Sequence, residues 1–313
     1  MTRYLLISAT MLLCGCMLRH SPVVLEPARG PARDSLFRLD QTRGDSAARS
    51  RDGLFAAFAP TAAYLRAGAP VIYGRAAAAH AVRTADPDDG AVVWEPLGGG
   101  VSDDLQSAYT YGVAARTPTE KTASIRFGRY LAYWERGRGR PWQIVAYVEL
   151  GASPLAASAD IPETARTAPA EPTLVKLLSE ARAKLRSTDS SFSDLSYRMG
   201  TGYAFSNTVA ENGVLFGSPE LRVGPREVRD GFDKQSEASS LTWKPVYVGV
   251  AGSRDLGYSI GEYVSTGRGA TTATGAAVVQ RFGKYLTVWR RQKDGTWKFV
   301  ADGGNPSPTP ATK

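Results

Sequence analysis

The chain has 313 residues, 43% of them hydrophobic, with six Trp, 14 Tyr and 10 Phe. This length suggests two domains of ordinary size, and the apolar content is enough for each to have its own core. The formal charge of +8 is modest, and two His with two Cys are too few for a three-histidine or thiolate metal site.

Thr2-Arg3 precedes an apolar run, Tyr4 to Leu13, that is too short to span a bilayer and reads as a secretory signal over 1–15. Leu13-Cys14-Gly15-Cys16 resembles the bacterial lipoprotein lipobox, which implies cleavage before Cys16 and acylation of its thiol, with palmitate among the acyl groups. The alternative is a plain signal peptide with an incidental cysteine. Met17 is not Asp, which by the Gram-negative sorting pattern implies a lipid anchor in the outer membrane of the cell envelope, facing the periplasm. Cys14 would leave with the signal and Cys16 would be capped. No disulfide, no metal site, no cysteine nucleophile and no cofactor is therefore expected. Nucleic acid is not an expected partner of an envelope protein. Arg19, Arg29 and Arg33 read as a solvated surface near the membrane.

Residues 16–33 read as a Pro- and Arg-rich tether and 34–152 as a first domain. Residues 153–172, with four prolines, read as a linker, 173–304 as a second domain and 305–313 as an extended or disordered tail. In the second block Leu174, Leu178, Ala181, Leu185, Phe192, Leu195 and Met199 keep a helical period, weakened by the polar run Ser187 to Ser191. Short strands follow at Val214–Phe216 and Leu221–Val223, then a short helix with Pro225 in its first turn. Strands are expected at about 241–250, 256–266, 275–292 and 296–302, with Asp294-Gly295 as a two-residue hairpin turn.

The two blocks are copies. Phe127-Gly128-Arg129-Tyr130-Leu131 with Trp134 and Trp142 recurs 155 positions later as Phe282-Gly283-Lys284-Tyr285-Leu286 with Trp289 and Trp297. Asp40 pairs with Asp189, and Trp94-Glu95-Pro96 with Trp243-Lys244-Pro245, both 149 positions apart. Arg136-Gly137-Arg138-Gly139-Arg140 aligns with the Asp294-Gly295 tip, so it reads as a turn and not as an RNA-binding repeat.

Helices followed by a long meander form an α+β signature. The run from Gly283 to Lys298, with Asp302-Gly303-Gly304-Asn305-Pro306, resembles the SnoaL-like family. That family includes polyketide-cyclase-like and ketosteroid-isomerase-like domains of the nuclear-transport-factor-2-like superfamily. The resemblance implies two tandem cone-like α+β domains, each a curved antiparallel sheet wrapped over N-terminal helices, with an apolar pocket between.

Hairpin pairing through Asp294-Gly295 puts Thr287 opposite Asp302, Val288 opposite Ala301 and Trp289 opposite Val300. One face then carries Tyr285, Thr287, Trp289, Val300 and Asp302, the mixture of apolar walls and placed polar groups a ligand pocket needs. The same face could instead pack against the other block. Glu262 shares strand parity with Tyr258 and Ile260 and, paired with Asp302, could serve as acid and base. Candidate catalytic residues are thus Asp302 and Glu262; pocket candidates are Tyr258, Tyr285, Thr287, Trp289 and Val300. The first block has Val113 and Tyr147 at the places of Glu262 and Asp302, so a polar site is expected in the second alone. His80 lies in an Ala-rich helix and is expected to be partly exposed.

In the family's isomerases a base Asp precedes the helix that a glycine opens. Here the chain reads Val214-Leu215-Phe216-Gly217, and Ala63-Tyr64-Leu65-Arg66 in the first copy, so isomerase activity does not carry over. The function expected is binding of a small apolar ligand or a protein partner without catalysis. The alternatives are a cofactor-free isomerase, dehydratase or cyclase acting in the second domain, and a structural pair packed sheet to sheet as a covalent pseudo-dimer.

Overall fold

In the computed structural model the described residues are 30–49, 53, 55–85, 89–118, 126–151, 175–217, 221–233, 240–272 and 275–308. The signal segment, Cys16, most of the tether and the linker lie outside them.

The first half runs α1 (Gly30–Arg49), β1 (Phe58–Leu65), β2 (Ile72–Tyr73), α2 (Arg75–Ala85), β3 (Asp89–Val101), β4 (Ser107–Pro118), β5 (Arg126–Glu135) and β6 (Gln143–Gly151). The second runs α3 (Val175–Met199), α4 (Thr201–Thr208), β7 (Val209–Phe216), β8 (Leu221–Val223), α5 (Gly224–Asp233), β9 (Ser240–Val250), β10 (Leu256–Thr272), β11 (Gly275–Arg291) and β12 (Trp297–Pro306). Each half forms one six-stranded sheet, in the orders β2-β1-β6-β5-β4-β3 and β8-β7-β12-β11-β10-β9. The two orders are the same, and the architecture is two tandem α+β cones.

Five details depart from the sequence reading. The sheets are mixed, because β1 pairs parallel with β6 and β7 with β12. A small hairpin and a helix reverse the chain after the first strand, and the four-strand meander brings the last strand back beside it in the same direction. Helix α1 starts at Gly30, inside the expected tether, and Arg33 there is buried with its guanidinium 5.2 Å from the Phe37 ring. Strand β12 extends to Pro306, so the first residues of the expected tail belong to the sheet. Helix α4 was not foreseen: Gly200, at φ 89, breaks the helical path after Met199 and lets a second short helix turn away. The polar run in α3 does not interrupt it: Asp189 within the run turns inward and finds a partner, as do Ser193 and Ser196 beyond it.

Each sheet buries two faces. One packs on its own helices, around Leu36, Tyr130 and Trp134 in the first half and around Leu185, Phe192, Trp289 and Phe299 in the second. The other faces form a common seam, where Leu65, Tyr133 and Val148 meet Tyr258, Leu286 and Val288. Full burial of such side chains stabilises by about 1.5–3 kcal/mol each.

Polar clasps close both ends of the seam. At one end the Ser253 N–H donates to Asp104 Oδ2 at 2.9 Å and the Asp103 N–H to Asp255 at 3.2 Å. Arg290 bridges there, donating to Asp255 Oδ2 at 2.9 Å and to the Val101 carbonyl at 3.0 Å. Leu105 and Arg254, equivalent positions in the two turns, both take left-handed φ values, 56° and 61°. At the other end Asn305 Nδ2 donates to the carbonyls of Leu65 and Glu149 at 2.9 and 2.8 Å.

Candidate functional site

The geometry of the second cone turns on one bulge. Ala301 pairs with Val288, but the next pair is Trp289 with Phe299, leaving Val300 as the extra residue. Strict alternation would have put Val300 on the helix-facing side. Instead Phe299 enters the helix-facing core and Val300 joins the seam. The first cone has the same irregularity between Tyr133 and Trp134.

Beyond the bulge, Asp302 faces the helices. It lies in a row of directly paired residues, Arg222, Leu215, Asp302 and Thr287, crossing β8, β7, β12 and β11. Directly opposed residues share a sheet face, so this row is the floor of a cavity of ≈ 540 Å³. Its walls are largely aromatic, among them Phe192, Phe205, Trp243 and Phe282, while Tyr285 adds to the floor. Thr287 Oγ1 donates to Asp302 Oδ1, and the other carboxylate oxygen has no hydrogen-bond partner among the described residues. Asp302 is only 8% exposed. Burial pushes its carboxyl up to about 7; the Thr287 hydrogen bond opposes this and the nearby Asp189 charge adds to it. Near neutral pH this group is therefore divided between its two protonation states.

A second polar network lies behind the cavity. Tyr285 donates to Asp189 Oδ2 at 2.8 Å and the Trp243 indole N–H to Oδ1 at 2.8 Å. Burial raises the Asp189 carboxyl, against hydrogen bonds from Ser259, Trp243 and Tyr285. It also raises the Tyr285 hydroxyl, reinforced by the Asp189 charge. Trp289 does not line the cavity; its indole N–H donates to Ser259 Oγ at 2.9 Å. The first cone repeats these bonds, Tyr130 to Asp40 at 2.6 Å and Trp134 to Thr110 at 2.8 Å. Because both cones have it, this network is framework. Asp189 had been legible only as a repeat marker. The signal for burial was a carboxylate on the helical stripe between Leu185 and Phe192.

What differs between the cones is filling. Tyr147 stands where the second cone has Asp302, Tyr64 where it has Leu215, Glu149 where it has Gly304, and Arg43 where it has Phe192. The Tyr147 ring lies 5.9 Å from both Tyr64 and Tyr130, and Tyr64 donates to Glu149 Oε1 at 2.5 Å. Arg43 inserts over Phe58 and Trp134 and lies 3.5 Å from Asp40. Large side chains thus occupy the space that Asp302 and Gly304 leave open in the second cone.

Besides Val300 and Trp289, two more sequence candidates sit outside the cavity. Tyr258 belongs to the seam, its ring 4.3 Å from that of Tyr133. Glu262 is exposed and pairs with Lys244 and Lys284. Residues 284 and 287 of β11 point to opposite faces, so Glu262 lies across the sheet from Asp302 and the two carboxylates do not converge. Lys284 is itself buried, donating to the Pro306 carbonyl at 3.0 Å, and burial lowers its ammonium to about 8. His80 is exposed on α2. Among the described residues no cluster of three or more His, Cys, Asp or Glu is placed to hold a metal ion, and no helix is long and apolar enough to cross a membrane.

The class defined by fold and cavity is a tandem pair of cone-shaped α+β domains, one filled and one hollow. Its neighbours among solved structures are ketosteroid-isomerase-like and nuclear-transport-factor-2-like proteins. A ketosteroid isomerase-like protein from Erwinia carotovora atroseptica SCRI1043 is 18% identical, matching 41% of this chain and 96% of that one with a TM-score of 0.33. An NTF2-like protein with a cystatin-like fold from Novosphingobium aromaticivorans is 18% identical, matching 42% of this chain and 89% of that one at 0.33. An NTF2-like superfamily protein from Salmonella enterica serovar Typhimurium LT2 is 11% identical, matching 42% and 95% at 0.34. No family model matches the chain, and no curated protein matches it.

Proposed function

We propose that this protein holds a small, largely apolar molecule in the cavity of its second cone, the first cone serving as packed support. The observation that carries this reading is a cavity of ≈ 540 Å³ with aromatic walls and a floor carboxylate whose second oxygen has no hydrogen-bond partner among the described residues. The neutral fluorophore N-phenyl-1-naphthylamine tests it. Asp302→Tyr, which installs the first cone's residue, is expected to weaken binding at least ~10-fold by filling the space the probe needs. Equal affinity for both proteins would refute the assignment.

A second reading is favoured by the Asp302 carboxyl alone. A group raised to about 7 in an apolar cavity can both give and take a proton near neutral pH. Glu262 lies across the sheet, so in this reading Asp302 itself would both take and give the proton.

We infer also that residues 1–15 direct the chain to the envelope and that an acylated Cys16 anchors it in the outer membrane, facing the periplasm. The support is Leu13-Cys14-Gly15-Cys16 after a short apolar run, outside the described residues. Cys16→Ser is expected to abolish incorporation of labelled palmitate and leave an unprocessed precursor. Undiminished labelling would disprove the anchor.

A further inference from the structure

We infer that the ligand of the second cone is an apolar molecule carrying a protonated amine, its ammonium paired with Asp302 and its body laid on the aromatic wall. This deepens the cavity reading above and rests on it.

The two copies treat charge differently inside. Between helix and sheet the first cone holds a cation of its own. The Arg43 guanidinium lies 5.6 Å from the Phe58 ring and 5.3 Å from that of Trp134, and 3.5 Å from Asp40. The second cone keeps Asp189 and Trp289 at the places of Asp40 and Trp134, but Phe192 stands where Arg43 would be. It also has Asp302 where the first has Tyr147. At these positions the hollow cone therefore has one carboxylate more and one cation fewer than the filled one.

The lining does not make up that difference. The Asp302 carboxyl is influenced by burial, the Thr287 hydrogen bond and the Asp189 charge, with no cation among them. Arg222 has its guanidinium engaged at α5, 5.5 Å from the Phe232 ring, and Arg281 is exposed. Asp302 Oδ2 accepts no hydrogen bond from the described residues. Nor is it sealed in: it is not one of their fully buried side-chain atoms without a partner, so it keeps surface that a ligand atom can touch. The space that Asp302 borders is the cavity.

A ligand that enters excludes water from this oxygen. An uncharged molecule then leaves the carboxylate uncompensated or makes it take up a proton, and an anion adds like charge. An ammonium compensates it, donating to Oδ2 where a low dielectric strengthens a charge-assisted hydrogen bond. The walls suit the same ligand. Phe192 meets Trp243 and Phe205 at 4.6 and 4.7 Å, and Phe205 meets Phe232 at 5.1 Å, one continuous run of rings. Ring faces attract a cation and give a flat apolar body a surface to lie on.

The probes are 2-naphthylmethylamine, its uncharged counterpart 2-naphthylmethanol and the anion 2-naphthoate, titrated into the full chain by calorimetry at pH 8. There Asp302, held at about 7, is mostly ionised, and an alkylamine is still protonated. The amine is expected to bind ~10-fold or more tightly than the alcohol, the scale of a charge-assisted hydrogen bond, and the acid most weakly. Asp302→Asn keeps an oxygen for Thr287 and loses the charge, so it should bring the amine-to-alcohol ratio close to one. Equal affinities for amine and alcohol, or an acid that binds as well as the amine, overturn the ammonium site and leave the cavity reading standing. So does a preference that Asp302→Asn retains. If none of the three binds the unaltered protein, the cavity reading has failed and this inference with it.

Discussion

Asparagine at position 302 is expected to flatten the pH dependence of stability between about 4 and 7. In the folded protein burial holds the Asp302 proton up to about 7, whereas the same group unfolded releases it near 3.8. Between those values the folded state binds more protons than the unfolded one. Stability therefore falls as pH rises through the window and levels off above it. The difference corresponds to about 4 kcal/mol at most, at about 1.4 kcal/mol per pH unit. Asparagine keeps an oxygen for the Thr287 hydroxyl and cannot ionise, so the variant should gain on the parent as pH increases. Asp189, also raised by burial, contributes in the same direction in both proteins, so the comparison reports position 302 together with its coupling to Asp189. Denaturant titrations at pH 4.5, 6 and 7.5 measure this. Parallel stability profiles would mean that Asp302 ionises freely and is not buried as described.

Tyr258→Ala should destabilise the seam strongly, costing about 3–5 kcal/mol. The residue is 4% exposed, its ring lies tilted 4.3 Å from that of Tyr133 of the first half and 5.6 Å from that of Tyr247, and it covers Gly249 closely. A Cβ on Gly249 would come within 2.3 Å of Tyr258 Cε1, so the backbone is shaped to the ring. Truncation would leave a void between two sheets that clasps at both ends prevent from closing. Because the seam is on the far side of the sheet from the cavity, affinity for N-phenyl-1-naphthylamine should be unchanged. A large loss of affinity with little loss of stability would place the ring on the cavity side instead.

Most of the framework was legible in the residues. The repeat at offsets of 155 and 149 anticipates two sheets of the same strand order, and Asp294-Gly295 anticipates the β11–β12 hairpin with Thr287 opposite Asp302. Of the site, Tyr285, Thr287 and Asp302 come together on the cavity floor. Val300, Trp289, Tyr258 and Glu262 go elsewhere, and Asp189 enters as a buried partner of Tyr285.

These differences share a physical origin. Side-chain parity is a local property, reliable as long as the ladder is unbroken; one extra residue at Val300 reverses it, and no turn residue marks that place. Nor can alternation say which face meets helices when both faces are buried, as they are here. The sequence by itself determined the duplication, the β11–β12 hairpin and the fact that the two copies differ at position 302. Only the tertiary structure decided that this difference is a cavity. Emptiness depends on the combined volume of Asp302, Leu215, Gly304 and Phe192, set against Tyr147, Tyr64, Glu149 and Arg43. Those residues are distant in the chain and become neighbours only when the sheet closes over its helices.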